Sequence, residues 1–452
     1  MYDKTSGVVI AAPSSNSGKT VITLAVLRAL KRQGIAVAAA KTGPDYIDPA
    51  FQAAACATSC INLDPWAMDR DQINTLVTRQ LTAQHDENAF VVCEGVMGLF
   101  DGAANGTGST ADLAAMMNWP VVLVVDVKGQ SASAAALISG FAKFRDDTRI
   151  AGVILNRVGS DRHKQMIVDA CAKYLPDIPI IGAVRRSPDL TLPERHLGLV
   201  QAGEHGELDG FLDRAADIIA ADVDLAAFRR LVTPSVLAKP YFPGGAGASA
   251  DVPPLGHRIA IARDMAFAFS YAHLLDGWKL ARAELSFFSP LNDEAPDPSA
   301  DAIYLPGGYP ELFAGELAQA THFKSAMRKA AEDGVTVYGE CGGYMVLGDR
   351  LIDADGHSHE MLRLLAVETS FADRKLHLGY REAVLTQPTP FGTAGTVLRG
   401  HEFHYASTLL EDGTPFCQMS NAMGDVLGPA GLVRGTVFGS FFHVISARVQ
   451  GA

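Results

Sequence analysis

Pro13-Ser14-Ser15-Asn16-Ser17-Gly18-Lys19-Thr20 stands between an apolar run, Gly7 to Ala12, and a stretch of helical apolar spacing that starts at Val21. A strand–loop–helix junction of this kind cradles anionic oxygens on successive backbone N–H groups and on the helix N-terminus. Lys19 then reaches the outer phosphates and the Thr20 hydroxyl ligates magnesium. The first glycine usual in such loops is Pro13 here. Asn16 takes a place often held by glycine, and Asn is among the few side chains that tolerate a left-handed backbone. The bland alternative is an ordinary Gly-Lys-Thr at a helix start. The preceding strand argues for the phosphate loop.

Two acidic stretches follow later strand candidates: Lys41-Thr42-Gly43-Pro44-Asp45-Tyr46-Ile47-Asp48-Pro49 and Glu94-Gly95-Val96-Met97-Gly98-Leu99-Phe100-Asp101-Gly102. In an open parallel sheet the loops after the C-terminal strand ends gather at one edge, so these carboxylates should converge on the phosphate loop. Magnesium takes oxygen ligands with one or two carboxylates, which makes Asp45 and Glu94 the expected partners of Thr20. Asp48 and Asp101 are then free to face a second substrate. Taken singly, each acid is as readily a turn former or a solvated charge.

A third constellation lies far along the chain. Val335-Thr336-Val337-Tyr338-Gly339 runs into Glu340-Cys341-Gly342-Gly343-Tyr344, a cysteine flanked by glycines where a strand turns into a helix. A helix N-terminus lowers a thiol pKa, and the N–H after the nucleophile helps hold an oxyanion. Pro306-Gly307-Gly308-Tyr309-Pro310 follows another strand and offers the remaining donors, Gly308 among them. His443, at the end of a β-rich run, is available as the base for Cys341. A lone histidine there is more often structural; its pairing with the cysteine makes the difference.

Residues 7 to about 230 alternate apolar strands (Gly7–Ala12, Ile35–Ala40, Ala89–Cys93, Val121–Asp126, Ile150–Leu155, Ile180–Val184) with helical stretches (Gly18–Gln33, Ser109–Asn118, Ser131–Phe144, Asp161–Tyr174). Strands apolar along their whole length are those of a parallel sheet covered on both faces, so a doubly wound α/β domain is expected over 1–233. Prolines 234, 240, 243, 253 and 254 mark a linker over 234–257. A second α/β domain is expected over 258–452. The formal charge of −12 over 452 residues disfavours nucleic acid as a partner. No apolar run has membrane-span length, and the start lacks a signal-peptide core. Six cysteines form no disulfide framework, and Cys56 and Cys60 lack a second ligand pair for zinc. A reducing cytoplasm is the expected compartment.

The motifs together resemble the cobyrinic acid a,c-diamide synthase family. The resemblance is carried by Ser14–Thr20, Gly43–Pro49, Asn62–Trp66, Glu94–Gly102, Leu155–Ser160, Leu192–Leu199, Phe288–Leu291, Pro306–Glu311, Glu340–Gly343 and Gly400–Tyr405, in order along nearly the whole chain. It implies a dethiobiotin-synthetase-like P-loop domain followed by a class I glutamine amidotransferase domain. It also implies amidation of the a and c acetates of a corrin ring, with ATP and glutamine as substrates and Mg2+ as cofactor. Cys341 is then the glutaminase nucleophile and His443 its base, with the Gly308 and Gly342 N–H groups on the oxyanion. Lys41 joins Lys19 on the transferring phosphoryl group, and Tyr46, Asp48 and Asp101 lie toward the corrin. Small molecules are the expected partners, ammonia passes between domains shielded from protonation, and a homodimer is left open.

Many class I glutaminases place a Glu two residues after the His. Here that position is Ile445, so no carboxylate orients His443 from there. Nickel-sirohydrochlorin diamide synthases and cobyric acid synthases share most of these motifs. A partitioning-type switch ATPase fits poorly, because its signature lysine position is Ser14 and no glutaminase is attached to such proteins.

Overall fold

The computed structural model describes residues 4–192, 194–195, 198–199, 206–236 and 251–448. Most of the 234–257 linker, and part of the Leu192–Leu199 run, lie outside the described residues. The chain forms two compact units, Met1–Gly244 and Gly245–Ala452.

The first unit is built on β1 (Lys4–Ala11), β2 (Val37–Thr42), β3 (Cys60–Leu63), β4 (Phe90–Glu94), β5 (Val121–Asp126), β6 (Ile150–Val158) and β7 (Ile180–Arg185). They lie parallel in the order β3-β2-β4-β1-β5-β6-β7. Glu194–Arg195 (β8) and Gly198–Leu199 (β9) form a small ribbon, and β10 (Thr233–Val236) joins β1 antiparallel. Val8, Val9, Ile10, Val91, Val92 and Val121 to Val125 are fully buried, as strands covered by helices on both faces must be. β1, β2 and β4 lie side by side, so their C-terminal loops share one edge of the sheet, where a doubly wound fold binds its ligand.

Helices Lys19–Arg32 and Asp161–Tyr174 match the apolar spacing closely. The helices Asp48–Cys56 and Arg70–Thr82 and the strand β3 were not anticipated. The first of these starts on Asp48-Pro49, a proline in the first turn that is itself a helix-start signal.

The second unit begins in the expected α/β manner, with parallel strands β11 (Arg258–Ala262), β12 (Glu284–Phe288), β13 (Ala302–Leu305) and β14 (Thr336–Glu340), of which β12 was not anticipated. It then departs from a purely α/β rhythm. β15 (Arg350–Ile352), β16 (Ser358–Glu360), β17 (Val367–Ser370) and β20 (Ser407–Glu411) form a separate four-stranded sheet. β18 (His377–Leu385), β19 (Val397–His404), β21 (Thr414–Asn421), β22 (Val426–Arg434), β23 (Val437–Ser440) and β24 (Phe442–Arg448) extend the main sheet in the order β12-β11-β13-β14-β23-β22-β21-β18-β19-β24. β23 is parallel to β14, and the pairings beyond it are antiparallel. No helix among the described residues is long and apolar enough to cross a membrane.

Candidate functional site

In the first unit the loop after β1 turns on two left-handed residues, Asn16 at φ 62° and Gly18 at φ 83°. Asn16 thus takes the conformation for which glycine is usually chosen. Gly18 caps the helix Lys19–Arg32, and a Cβ there would come within 2.3 Å of Asn156 Nδ2. The Asn156 amide instead donates to the Ser17 carbonyl at 2.8 Å, and the Arg157 guanidinium donates to the Asn16 carbonyl at 3.0 Å. β6 therefore holds the loop open from the side.

Glu94, at the end of β4 and fully buried, is the hub of a charged cluster. Its Oε1 accepts from the Thr20 hydroxyl at 2.7 Å and lies 3.0 Å from Lys41 Nζ and 3.5 Å from Lys19 Nζ. Lys41 Nζ also donates to Asp48 Oδ2 at 2.5 Å and pairs with Asp45 at 3.7 Å. Burial alone would strip the Lys41 proton; Asp48, Glu94 and Asp45 outweigh it and hold the group well above its usual value. Burial, then the Lys41 charge, lowers Lys19. Burial, then Asp48 beside it, pushes the Asp45 carboxyl up to about 6. Burial would also raise Asp48, but the Lys41 ammonium brings it below the usual carboxylate range.

Lys19, Thr20, Lys41, Asp45, Asp48 and Glu94 thus come together, as the convergence of these loops on one sheet edge suggests, though the sequence turns Asp48 toward a second substrate. That residue sits at the start of a helix, buried, with its carboxylate on Lys41 and 3.4 Å from the Thr20 hydroxyl. It belongs with the phosphate-loop cluster and not with Asp101. Asp101 is exposed, one of its oxygens accepting from the Gly98 N–H in its own turn. Tyr46 is half-buried, Trp66 is buried, and Phe100 packs on Phe141 and Phe144. Beside the loop, a cavity of about 350 Å³ is lined by Gly18, Asn156, Arg157, Arg185 and Arg186, among others. Asn156 and Arg157 were legible only as part of a family motif. Their bond to the loop is a tertiary fact.

The oxygen set of Thr20, Asp45, Asp48 and Glu94 is the hard, carboxylate-rich kind that magnesium takes. Three carboxylates face two ammonium groups, so a divalent cation meets net negative charge there.

In the second unit Cys341 stands between β14 and the helix Gly342–Leu347 at φ 47°, ψ −104°, a strained elbow. Its N–H donates to the Ser440 carbonyl at 2.8 Å, fixing the turn against β23. A Cβ on Gly342 would lie 3.1 Å from the Gly308 nitrogen, so the two expected oxyanion donors are neighbours. A Cβ on Gly307 would lie 2.4 Å from His443 Cε1, 3.2 Å from its Nε2 and 3.4 Å from Cys341 Cβ. Cys341 and the Nε2 side of His443 therefore flank one small gap. Burial, then the Glu311 charge, pushes the thiol well above its ordinary value, so it needs a base. Phe403 of the Gly400–Tyr405 run places its carbonyl 3.9 Å from Cys341 Sγ, while its neighbour Glu402 is bound to Arg381 at 2.7 Å.

Gly307 supplies a test of this packing. Gly307→Ala should drive the imidazole off its position and abolish glutamine hydrolysis, while amidation with added ammonia persists. Parallel assays with the two nitrogen donors check it.

Sequence reasoning missed one neighbour of His443. Glu340, immediately before the nucleophile and buried, places Oε2 3.6 Å from His443 Nδ1. A glutamate ending an apolar strand reads as a solvated charge, and only the crossing of β24 past the end of β14, where the Val444 N–H donates to it, shows otherwise.

Residues 8–200 match the model of the CobQ/CobB/MinD/ParA nucleotide binding domain, and residues 258–450 that of the CobB/CobQ-like glutamine amidotransferase domain. A nucleotide-binding unit joined in one chain to a cysteine-elbow α/β unit defines a glutamine-hydrolysing amidoligase. Over 443 residues the chain is 54% identical to a Brucella anthropi protein named hydrogenobyrinate a,c-diamide synthase, covering 97% of this chain and 98% of that one. A Rhizobium meliloti protein of the same name is 52% identical over 441 residues, covering 97% and 99%. A Brucella abortus protein of that name is 54% identical over 447 residues, covering 99% and 100%. The chain belongs to the hydrogenobyrinate a,c-diamide synthase family.

Proposed function

We propose that this protein converts hydrogenobyrinate to its a,c-diamide with ATP and glutamine, in cobalamin biosynthesis. The observation that carries the reading is likeness along the whole length, through both units, to relatives bearing that activity in their name. The switch-ATPase alternative is set aside because residues 258–450 match an amidotransferase domain.

In this reading Cys341 attacks the side-chain amide of glutamine while His443 takes the thiol proton at Nε2 and passes it to the departing nitrogen. The Gly308 and Gly342 N–H groups hold the oxyanion. Ammonia leaves, and water later frees glutamate from the thioester. In the other unit Pro13, Ser14, Ser15, Asn16, Ser17, Gly18, Lys19 and Thr20 cradle the ATP phosphates, and the cavity lined by Asn156 and Arg157 takes the nucleoside. A corrin carboxylate attacks the terminal phosphoryl group and ADP departs as the acyl phosphate forms, with Lys19 and Lys41 balancing the charge. Ammonia then displaces phosphate from the acyl phosphate. Thr20, Asp45 and Glu94, with Asp48 beside them, would hold Mg2+, which neutralises phosphate charge when bound. In this reading Tyr46 and Asp101 face the corrin. The six free cysteines are all buried, which suits a reducing cytoplasm.

The test is a product assay with glutamine, Mg-ATP and either hydrogenobyrinic acid or cobalt-containing cobyrinic acid, read by mass spectrometry. Two amides on the metal-free ring are expected. Two amides only on the cobalt ring would move the enzyme to the cobalt substrate. No amide on either would send the search to nickel-sirohydrochlorin.

A further inference from the structure

Glu340 is a buried carboxylate whose partners are few and all of one kind. Oε2 accepts from the Tyr304 hydroxyl at 2.6 Å; Oε1 accepts from the Tyr338 hydroxyl at 2.9 Å and from the Val444 N–H at 2.9 Å. These three donors fix the carboxylate in place and leave acceptor capacity on Oε2, the oxygen that lies 3.6 Å from His443 Nδ1. No Lys or Arg pairs with Glu340 among the described residues, so His443 is the one side chain beside it able to carry positive charge. A buried charge without a cation is costly, and a partner that becomes cationic during turnover offsets that cost.

Two further histidines lie near His443 or its strand. Across the β19–β24 ladder it faces His401, which burial, and then His443 itself, lower to about 3 and so keep neutral. From the helix Ala272–Leu280, His273 is also lowered by burial and hydrogen-bonds the Ile445 carbonyl at 3.0 Å. From the elbow comes the Cys341 thiol. Position 445, where many class I glutaminases carry a Glu, is a buried isoleucine.

We propose that Glu340 is the positioning carboxylate of His443, supplied from the nucleophile's own strand in place of the residue two beyond the histidine. The neutral imidazole carries its proton at Nδ1, toward Glu340, and presents Nε2 to Cys341. When Nε2 takes the thiol proton, the carboxylate stays ionised and stabilises the imidazolium. The inference rests on the reading of Cys341 and His443 as the glutaminase pair.

Glu340→Gln keeps the shape and the acceptor for Val444 while removing the charge. Glutamine hydrolysis by the full-length variant should fall about 10- to 100-fold in kcat with KM little changed. The acid limb of its pH profile should move to lower pH, and ammonia-dependent amidation should equal wild type. An unchanged rate, or a lower rate with the acid limb fixed, would overturn the proposal, the latter marking a carboxylate that only ties strands together. Should Glu340→Gln not fold, Tyr304→Phe removes a donor from Oε2 and turns more negative charge toward His443. The acid limb must then move to higher pH, and a stationary limb overturns the inference. A wild-type protein unable to hydrolyse glutamine, or a Cys341→Ala protein that still does, would instead sink the glutaminase pair itself.

Discussion

Cys341→Ala is expected to lose glutamine-dependent amidation by more than about 10^4-fold, because without the thiolate no thioester forms and no ammonia is released. The same protein given ammonium salt should still make the a,c-diamide, at a rate that climbs with pH as more of the nitrogen is unprotonated. Corrin product measured with each nitrogen source separates the two chemistries. Loss of both activities would show that the units do not divide the labour. A structural reason for a clean division is that the partners of Cys341 among the described residues, Ser440 through its N–H and Phe403 near its sulfur, belong to the second unit.

Glu94→Ala should be the more damaging change. It removes the acceptor for Thr20 and the counter-charge for Lys41, leaving a fully buried ammonium with Asp48 and Asp45 alone. Breaking a buried ion pair by removing one partner costs about 3–5 kcal/mol, here added to lost nucleotide chemistry. Amidation should therefore fail with glutamine and with ammonia alike, and the denaturant midpoint of the first unit should drop. Glutamine hydrolysis by the second unit supplies the internal control. A Glu94→Ala protein that amidates normally with ammonia would remove this carboxylate from the phosphate site. Glu94→Gln should recover much of the stability and little of the activity, since shape returns but charge does not.

The parts that could be read from sequence were those governed by local rules. Asn16 at a left-handed position, the helix that opens after the phosphate loop and the 161–174 helix follow from dihedral preference and apolar spacing. The elbow at Cys341 follows from glycines beside a strand end. What escaped reading depended on partners distant in the chain. Asp48 looked like a second-substrate acid because its helix went unseen, yet that helix start turns its carboxylate back onto Lys41. The run from β17 to β24 reads only as β-rich, without separate strands, because its burial is irregular: β18 alternates only weakly and β20 is largely exposed. Glu340 needed the crossing of β24, which no spacing rule supplies.

That crossing has a consequence for how the protein comes to be active. Nine strands separate the elbow on β14 from His443 on β24, so the pair is a long-range contact that closes only when the strands between have been placed. The strained backbone at Cys341 is held by its bond to Ser440 at the end of β23, and it too waits for the sheet to close. A partly folded second unit would therefore hold Cys341 apart from His443 and without its turn. On the proposed pairing of Cys341 with His443, glutamine turnover would then report complete assembly of the second unit.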